Sequence, residues 1–392
     1  MSRSGNEPCI DAEEILGGIR RWVEVETPTS DAAAVNRLAD MVEAEWREIG
    51  GRVERIPGRD GYGDHLTLRA PWDGDAPGIL VLSHLDTVHP HGVLARNPFR
   101  REGDRVFGPG IYDMKGGAYL ALHACRHLIR LGRRAPLPIT FLYVSEEEVG
   151  SPTSRELIER EAGRAAYVLV TEPARDGGRI VTARKGVARY VVTATGRPAH
   201  SGTRHQDGRS AIREMAHQIL FIEGLTDYER GITTNVGLVT GGTAVNVTPA
   251  ACVAEVDVRV PDAAAAAFVH ETLTGLKPHD PDVRLRVEGG LNRPPFEKTA
   301  AIDSLFRHAR DLAAEIGIDL GDVKTGGGSD GNFTAALGVP TLDGLGVDGE
   351  GGHTEHEQLY FSSLEPRARL LLRLFETLGQ ASPGGTGRGA AG

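Results

Sequence analysis

Six residues at the ends of apolar runs or in Gly-rich turns have side chains of the kinds that bind metal ions: His84, Asp113, Glu147, Glu148, Glu172 and His353. The run Ile79-Leu80-Val81-Leu82 leads through Ser83 into His84-Leu85-Asp86. Side chains alternate along a strand, so His84 and Asp86 can act together where that strand ends. Open α/β sheets place their ligands at such ends. Asp113 follows in the turn Gly108-Pro109-Gly110-Ile111-Tyr112-Asp113, and a helical pattern starts directly after it. Two imidazoles and several carboxylates, with no thiolate, suit a pair of zinc or similar divalent ions. Ions about 3.5–4 Å apart can share one carboxylate and act on one water. The chemistry also needs a carboxylate kept off the metal to take a proton from that water. Adjacent glutamates suit this division, because neighbouring side chains need not face the same ion.

Each residue alone has a plainer reading. A single histidine at a strand end is more often a hydrogen-bonded structural residue. The triplet Glu146-Glu147-Glu148 could favour a helix N-terminus, Asp113 could cap a helix, and Glu172 could end a strand before Pro173. The case rests on their recurrence at strand ends in one α/β pattern.

The elements that must position these residues follow from periodicity. Helices are expected over about 11–25 and 32–49, and a strand over 52–56. Residues 79–88 begin with a continuous apolar run, which predicts a strand buried on both faces, as in a parallel sheet. A helix over 116–131, a strand over 139–145, a helix over 151–160 and a strand over 165–171 complete an alternation of strand and helix. After Lys185 the pattern changes. Strands are expected over 187–195, 233–239 and 252–260, with helices over 207–225 and 261–276. Ile212, Met215, Ile219 and Ile222 share one face of the first helix, and Cys252, Ala254, Val256, Val258 and Val260 alternate inward. That block is a one-sided antiparallel sheet carrying two helices. A helix over 301–316, a strand over 339–342 and a helix over 364–378 return to the first style, and the Gly-rich segment 381–392 reads as disordered. The fold class is therefore α/β: an α/β/α domain with a mostly parallel sheet, residues 1–186 and 294–392, interrupted by an inserted α+β domain, residues 187–293.

Composition sets bounds. The chain has 392 residues, 40% hydrophobic and 25% charged, with a net charge of −10. The acidic balance argues against nucleic acid as a partner. Three cysteines with no Cys-x-x-Cys argue against a disulfide framework or a thiolate zinc site. No apolar run approaches a membrane span, and the first residues show no signal peptide. A cytoplasmic protein without membrane or nucleic-acid contacts is expected.

The motifs, taken together, are specific. Ser83-His84-Leu85-Asp86-Thr87-Val88, Gly110 to Gly117, Ser145 to Ser151, Gly196 to Gly202, Gly241 to Asn246 and Gly352 to Glu357 occur in this order. In this the chain resembles the dinuclear zinc hydrolases that include glutamate carboxypeptidase, acetylornithine deacetylase, succinyl-diaminopimelate desuccinylase and aminoacylase, over nearly its whole length. The resemblance implies that His84 and Glu172 hold one metal, Glu148 and His353 the other, and that Asp113 bridges them. It makes Glu147 the general base and later the acid, and Asp86 the carboxylate that orients His84. It implies two divalent ions per chain, zinc first, with cobalt or manganese as alternatives. The inserted domain resembles the family's lid and dimerisation domain, which implies a homodimer. There His200 would polarise the scissile carbonyl in the partner's site, and Asn246 and Arg259 would bind the substrate's carboxylate. Lys185 and the glycines Gly327 and Gly328 would make further substrate contacts. The other reading of Arg259 is an ion pair with Asp257 or Glu255.

The expected activity is hydrolysis of an amide next to an amino acid with a free carboxylate, in a small peptide or N-acyl amino acid. The texture of the Gly326-Gly327-Gly328-Ser329-Asp330 segment is closest to glutamate carboxypeptidase. The alternatives are an N-acyl amino acid deacylase and, in another class, a binding protein that has kept the fold without catalysis.

Overall fold

The computed structural model describes residues 9–72, 74 and 76–380, so the segment 381–392 lies outside the described residues. The chain forms two compact units. One comprises Met1–Thr182, Lys298–Val323 and Leu337–Gly392, and the other Ala183–Glu297 with Lys324–Ala336.

The first unit is built on a six-stranded sheet. Its order is Arg52–Ile56, His65–Arg69, Ile139–Val144, Gly78–His84, Ala165–Val170, Thr341–Leu342. The last four strands are parallel, and the first two join antiparallel. Every residue from Ile79 to His84 is buried, so both faces of this strand are covered, as the apolar run predicts. The covering helices include Ala12–Val23, Ala32–Glu48, Gly116–Arg130, Ala300–Glu315 and Leu364–Thr377. Their apolar stripes meet in one core with Trp22, Trp46, Phe141 and Phe375. Trp46 packs 4.9 Å from the ring of Phe141, which also lies 6.2 Å from Phe375.

Register fixes the level at which the functional groups emerge. His84 pairs with Val144, and Leu82 with Val170. His84, the glutamates after Val144 and Glu172 after Val170 therefore leave the sheet at one carboxyl edge. The helix Gly116–Arg130 starts close against that edge. A Cβ on Gly117 would stand 2.1 Å from the Thr171 carbonyl oxygen, so only glycine permits the approach.

The second unit has a four-stranded antiparallel sheet, ordered Thr233–Gly241, Ala251–Val260, Gly186–Thr195, Arg284–Arg293. Helices Ala211–Glu223 and Ala263–Thr274 close its apolar face around Tyr190, Val192, Val256, Val258, Met215 and Leu273. The expected alternation of Cys252 to Val260 is present.

Four expectations need correction. The helix placed at 151–160 starts at Arg155, after a turn at Ser151 with φ of 57°. The helix placed at 207–225 runs from Ala211, where Ser210 caps it by accepting the Arg213 N–H. Ile212 on that helix is exposed rather than buried with Met215. Finally, the Gly327 and Gly328 loop belongs to the second unit. Arg293 and Asp330 form a buried pair at 2.6 Å, and Asn332 Nδ2 donates to the carbonyls of Lys185 and Pro294.

All three tryptophans lie in the first unit, so their fluorescence reports its unfolding. Phe141→Ala should lower the stability of that transition by about 3–5 kcal/mol, since it removes a fully buried ring. A shift below about 1 kcal/mol in the urea curve would show that this core is not as tightly packed as the structure has it.

Candidate metal centre

His84 ends the central strand with a 1% exposed side chain. Its Nδ1–H donates to the backbone carbonyl of Asp86 at 2.9 Å, with the Asp86 carboxylate 3.3 Å away. That bond fixes the tautomer and leaves Nε2 as the free lone pair. Nε2 faces Asp113 Oδ1 at 3.3 Å and Glu172 Oε1 at 3.8 Å. His353 Nε2 faces Asp113 Oδ2 at 3.4 Å and Glu148 Oε2 at 3.2 Å. The two oxygens of Asp113 thus look at different imidazoles. The result is two donor groups, His84–Asp113–Glu172 and Asp113–Glu148–His353, each with ligand atoms within 4.8 Å of one another.

The elements explain these placements. Asp113 lies in the segment Ile111–Lys115, where it and Met114 depart from helical dihedrals. His353 has a φ of 64°, a left-handed conformation uncommon for a residue with a Cβ. It follows two glycines in a turn closed by the Thr354 N–H on the Gly351 carbonyl. Asp86 is fully buried. Its carboxylate accepts from Thr29 Oγ1 at 2.7 Å and from the backbone N–H groups of Glu147 and Glu148 at 3.2 and 3.3 Å. One carboxylate thereby orients His84 and anchors the turn Glu147–Val149. Glu146 turns the other way, buried, and accepts from the N–H groups of Thr153 and Ser154. Glu147 belongs to neither donor group, although its charge acts on His84.

The electrostatics call for a cation. Burial alone would lower His84, yet the hydrogen bonds to Asp113 and Asp86 and the charge of Glu147 hold it well above its ordinary value. His353 is pushed up to about 11 by Asp113 and Glu148. Burial opposes ionisation of Asp113, but His353 and His84 outweigh it and keep the carboxyl below its usual range. Glu148 is raised by burial and by Asp113. Its Oε1 is buried without a hydrogen-bond partner. The donor set and the orphaned oxygen fit a pair of divalent ions with nitrogen and oxygen ligands.

Three supporting residues escaped the sequence reading. Glu357 is buried and accepts from four N–H groups, one of them on the buried His89. Lys115 is buried, and its Nζ donates to the Val25 carbonyl at 2.7 Å. Burial lowers it to about 7 against the pull of Glu357, Glu26 and Asp86. Lys115 and Glu357 lie within the motifs Gly110 to Gly117 and Gly352 to Glu357, but nothing in their spacing told which backbone groups they meet.

The remaining expected site residues belong to the second unit. His200 is exposed, and its Nδ1 accepts the N–H groups of Gly202 and Thr203 at 3.1 and 3.3 Å, so Nε2 carries the ring proton. The Asn246 carbonyl accepts the Ser201 N–H at 3.0 Å, which ties the loops of His200 and Asn246 together. Arg259 donates to Asp257 from Nε at 2.7 Å and Nη2 at 3.1 Å, so the ion pair weighed from sequence is present. Lys185 is lowered by burial and by the charges of Lys324 and Arg259. The Gly327 carbonyl accepts from Arg184 at 3.2 Å. A Cβ on Gly328 would stand 2.7 Å from Arg293, a packing reason for that glycine.

Residues 80–377 match peptidase family M20/M25/M40. The chain belongs to that family. Carboxypeptidase G2 from Pseudomonas sp. (strain RS-16) is 32% identical over 373 residues, 93% of this chain and 89% of that protein. Acetylornithine deacetylase from Myxococcus xanthus is 31% identical over 232 residues, 55% of this chain and 59% of that protein. Among solved structures, the aminopeptidase PepT from Bacillus cereus ATCC 10987 has a TM-score of 0.75 at 24% identity, covering 93% of this chain and 98% of that one. The M20 family metallo-carboxypeptidase Sso-CP2 from Sulfolobus solfataricus has a TM-score of 0.68 at 18% identity, covering 93% and 99%. These structures share the α/β fold. As a member of this metal-dependent peptidase family, the chain is a hydrolase acting on peptide-like bonds, of carboxypeptidase-like character. Among the described residues no helix is long and apolar enough to cross a membrane.

Metal binding should release protons. Ligand imidazoles must be neutral, whereas neighbouring carboxylates hold both His84 and His353 above the ordinary histidine value. Affinity should therefore rise with pH. A zinc titration of metal-free protein in weak buffer with a pH indicator checks this. Zinc bound with no proton release would exclude these imidazoles as ligands.

Proposed function

We propose that the protein is a dinuclear metallopeptidase that removes an amino acid with a free α-carboxylate from a small peptide or N-acyl amino acid. The observation that carries this reading is Asp113, whose two oxygens face two separate donor groups. We assign His84 and Glu172 to one ion, Glu148 and His353 to the other, and Asp113 to both, with zinc as the first choice and cobalt or manganese as substitutes. Such ions polarise the scissile carbonyl and acidify water.

The chain's own residues supply the rest. Glu147, held off both donor groups by its turn, takes a proton from the attacking water. As oxygen bonds to the carbonyl carbon, charge develops on the carbonyl oxygen. His200 is prepared to donate to that charge, because its proton stands on Nε2. The C–N bond then breaks, and Glu147 returns its proton to the leaving amine. Asp86 holds His84 in the metal-ready tautomer throughout. Asn246, Arg259, Lys185, Gly327 and Gly328 are assigned to the substrate's carboxylate end.

The protein is further proposed to be a cytoplasmic homodimer joined through the second unit. Free Cys9, Cys125 and Cys252 support a reducing compartment. The strand Thr233–Gly241 is an edge of its sheet and exposes Leu238 and Val239, which supports an interface there. Similarity to an acetylornithine deacetylase supports a deacylase as the second reading. Amino-acid release from a panel of dipeptides and N-acyl amino acids separates the two, with a preference for peptide-like acyl groups expected.

Glu147→Gln should keep both ions and lower kcat by roughly 10²–10⁴-fold. If this variant loses metal while Glu148→Gln keeps it, the two roles are reversed.

Sharing of His200 across the dimer can be tested by mixing. His200→Ala and Glu147→Gln should each be nearly inactive. Refolded together, about half the dimers are mixed, and each mixed dimer contains one complete site if His200 acts on its partner. Activity should recover to roughly a quarter of wild type. Verified subunit exchange without recovery would place His200 in its own chain's site.

A further inference from the structure

We propose that Glu357 is the positioning residue that sets Asp113 against His353, and so governs how tightly the ion between them is held. This rests on the dinuclear reading above.

The Glu357 side chain is fully buried. Its Oε1 accepts the N–H groups of Tyr112 and Asp113, both at 2.8 Å. Its Oε2 accepts the Gly110 N–H at 2.7 Å and His89 Nε2–H at 2.6 Å. Two donors on each oxygen saturate a carboxylate, and only an acceptor on both sides fits that arrangement. Three of the four donors come from the loop that carries Asp113. Gly110 there has a φ of 71°, and the following dihedrals leave helical values at Asp113, so these amides point at Glu357 rather than along a helix.

Glu357 also shares a turn with His353. Thr354 N–H donates to the Gly351 carbonyl, and Glu357 N–H to the Thr354 carbonyl. Its own carbonyl accepts the Gly108 N–H. His89 brings in the segment that follows His84 and Asp86. A single carboxylate thus fastens three segments, each bearing a residue assigned to the metals. The 3.4 Å approach of His353 to Asp113 is measured between two loops that this carboxylate joins. Glu357 acts through three backbone amides and the His89 ring rather than on the ligand side chains themselves.

Glu357→Gln tests the role. In either orientation its amide NH₂ opposes two N–H donors. Groups that orient metal ligands from behind are typically worth 10–100-fold in metal affinity. Zinc affinity of each ion, measured by competition with a chromophoric chelator, should show the weaker ion loosened by about tenfold or more. Turnover does not enter this readout. The melting of the metal-free variant, followed by tryptophan fluorescence, is measured in parallel. A residue that merely stabilises the fold would lower melting and leave the affinities of the folded protein unchanged, and that result overturns the proposal. If Glu357→Gln does not fold, His89→Ala decides, because it removes one donor of the four. Weakened zinc binding then supports the role, and wild-type affinity overturns it. A wild-type control that binds no zinc overturns both the dinuclear reading and this one, and is recognised before any variant is compared.

Discussion

Three carboxylates, Asp113, Glu148 and Glu172, are crowded at the carboxyl edge of a buried parallel sheet, and everything around them manages that charge. The imidazoles of His84 and His353 stand among them, and the neighbouring carboxylates hold both above the ordinary histidine value. Anions brought this close in a water-poor environment repel strongly. The arrangement therefore persists only because the backbone holding it is over-determined. Asp86 anchors the Glu147–Val149 turn, Glu146 caps the following segment, and the amides of the Asp113 loop converge on Glu357. Lys115 adds a buried ammonium among Glu357, Glu26 and Asp86, and burial brings it down to about 7. The negative charge is thus offset in layers around the two donor groups.

The three consecutive glutamates show how local geometry separates identical side chains. Glu146 is fully buried and serves backbone amides, Glu148 faces His353, and Glu147 lies between without joining a donor group. A strand ending in a single tight turn aims three neighbours in three directions. Gly150 at φ of 98° and Ser151 at 57° make that reversal possible.

What could be read in advance follows from what generates a periodic signal. The buried central strand and the alternating Cys252 to Val260 strand announce themselves because burial repeats along them. So do the apolar strand ends, which is why His84, Glu148 and Glu172 were visible as a set. The strand His65–Arg69 was missed because histidine, threonine and arginine break its apolar pattern, although four of its residues are buried. The paired three-residue strands Gln358–Tyr360 and Arg105–Phe107 are too short to carry a period. Ile212 satisfies the helical spacing, but the buried stripe of its helix runs through Ala211, Glu214, Met215, Gln218 and Ile222, and Ile212 falls beside that stripe. The work of Glu357 was hidden for another reason. Its partners are backbone amides, which every residue possesses, so only the folded path reveals them.

Arg259 poses the sharpest question about recognition, because Asp257 already occupies its Nε and Nη2. The pair is partly exposed, with side-chain exposures of 30% and 34%. Pairs in such settings are worth only about 0–1 kcal/mol. Exchanging Asp257 for a substrate carboxylate is therefore not prohibitive, and Asp257 keeps the guanidinium oriented meanwhile. The surroundings favour the exchange. Lys185 is held below its ordinary value by burial, Lys324 and Arg259, a crowding of like charges that an incoming anion relieves. A planar fork beside two ammonium groups is suited to a carboxylate, since the fork orients it and the ammonium groups supply undirected charge. The ion pair seen in the structure is in that sense compatible with the proposed role, and it explains why Arg259 lies folded along its strand rather than extended.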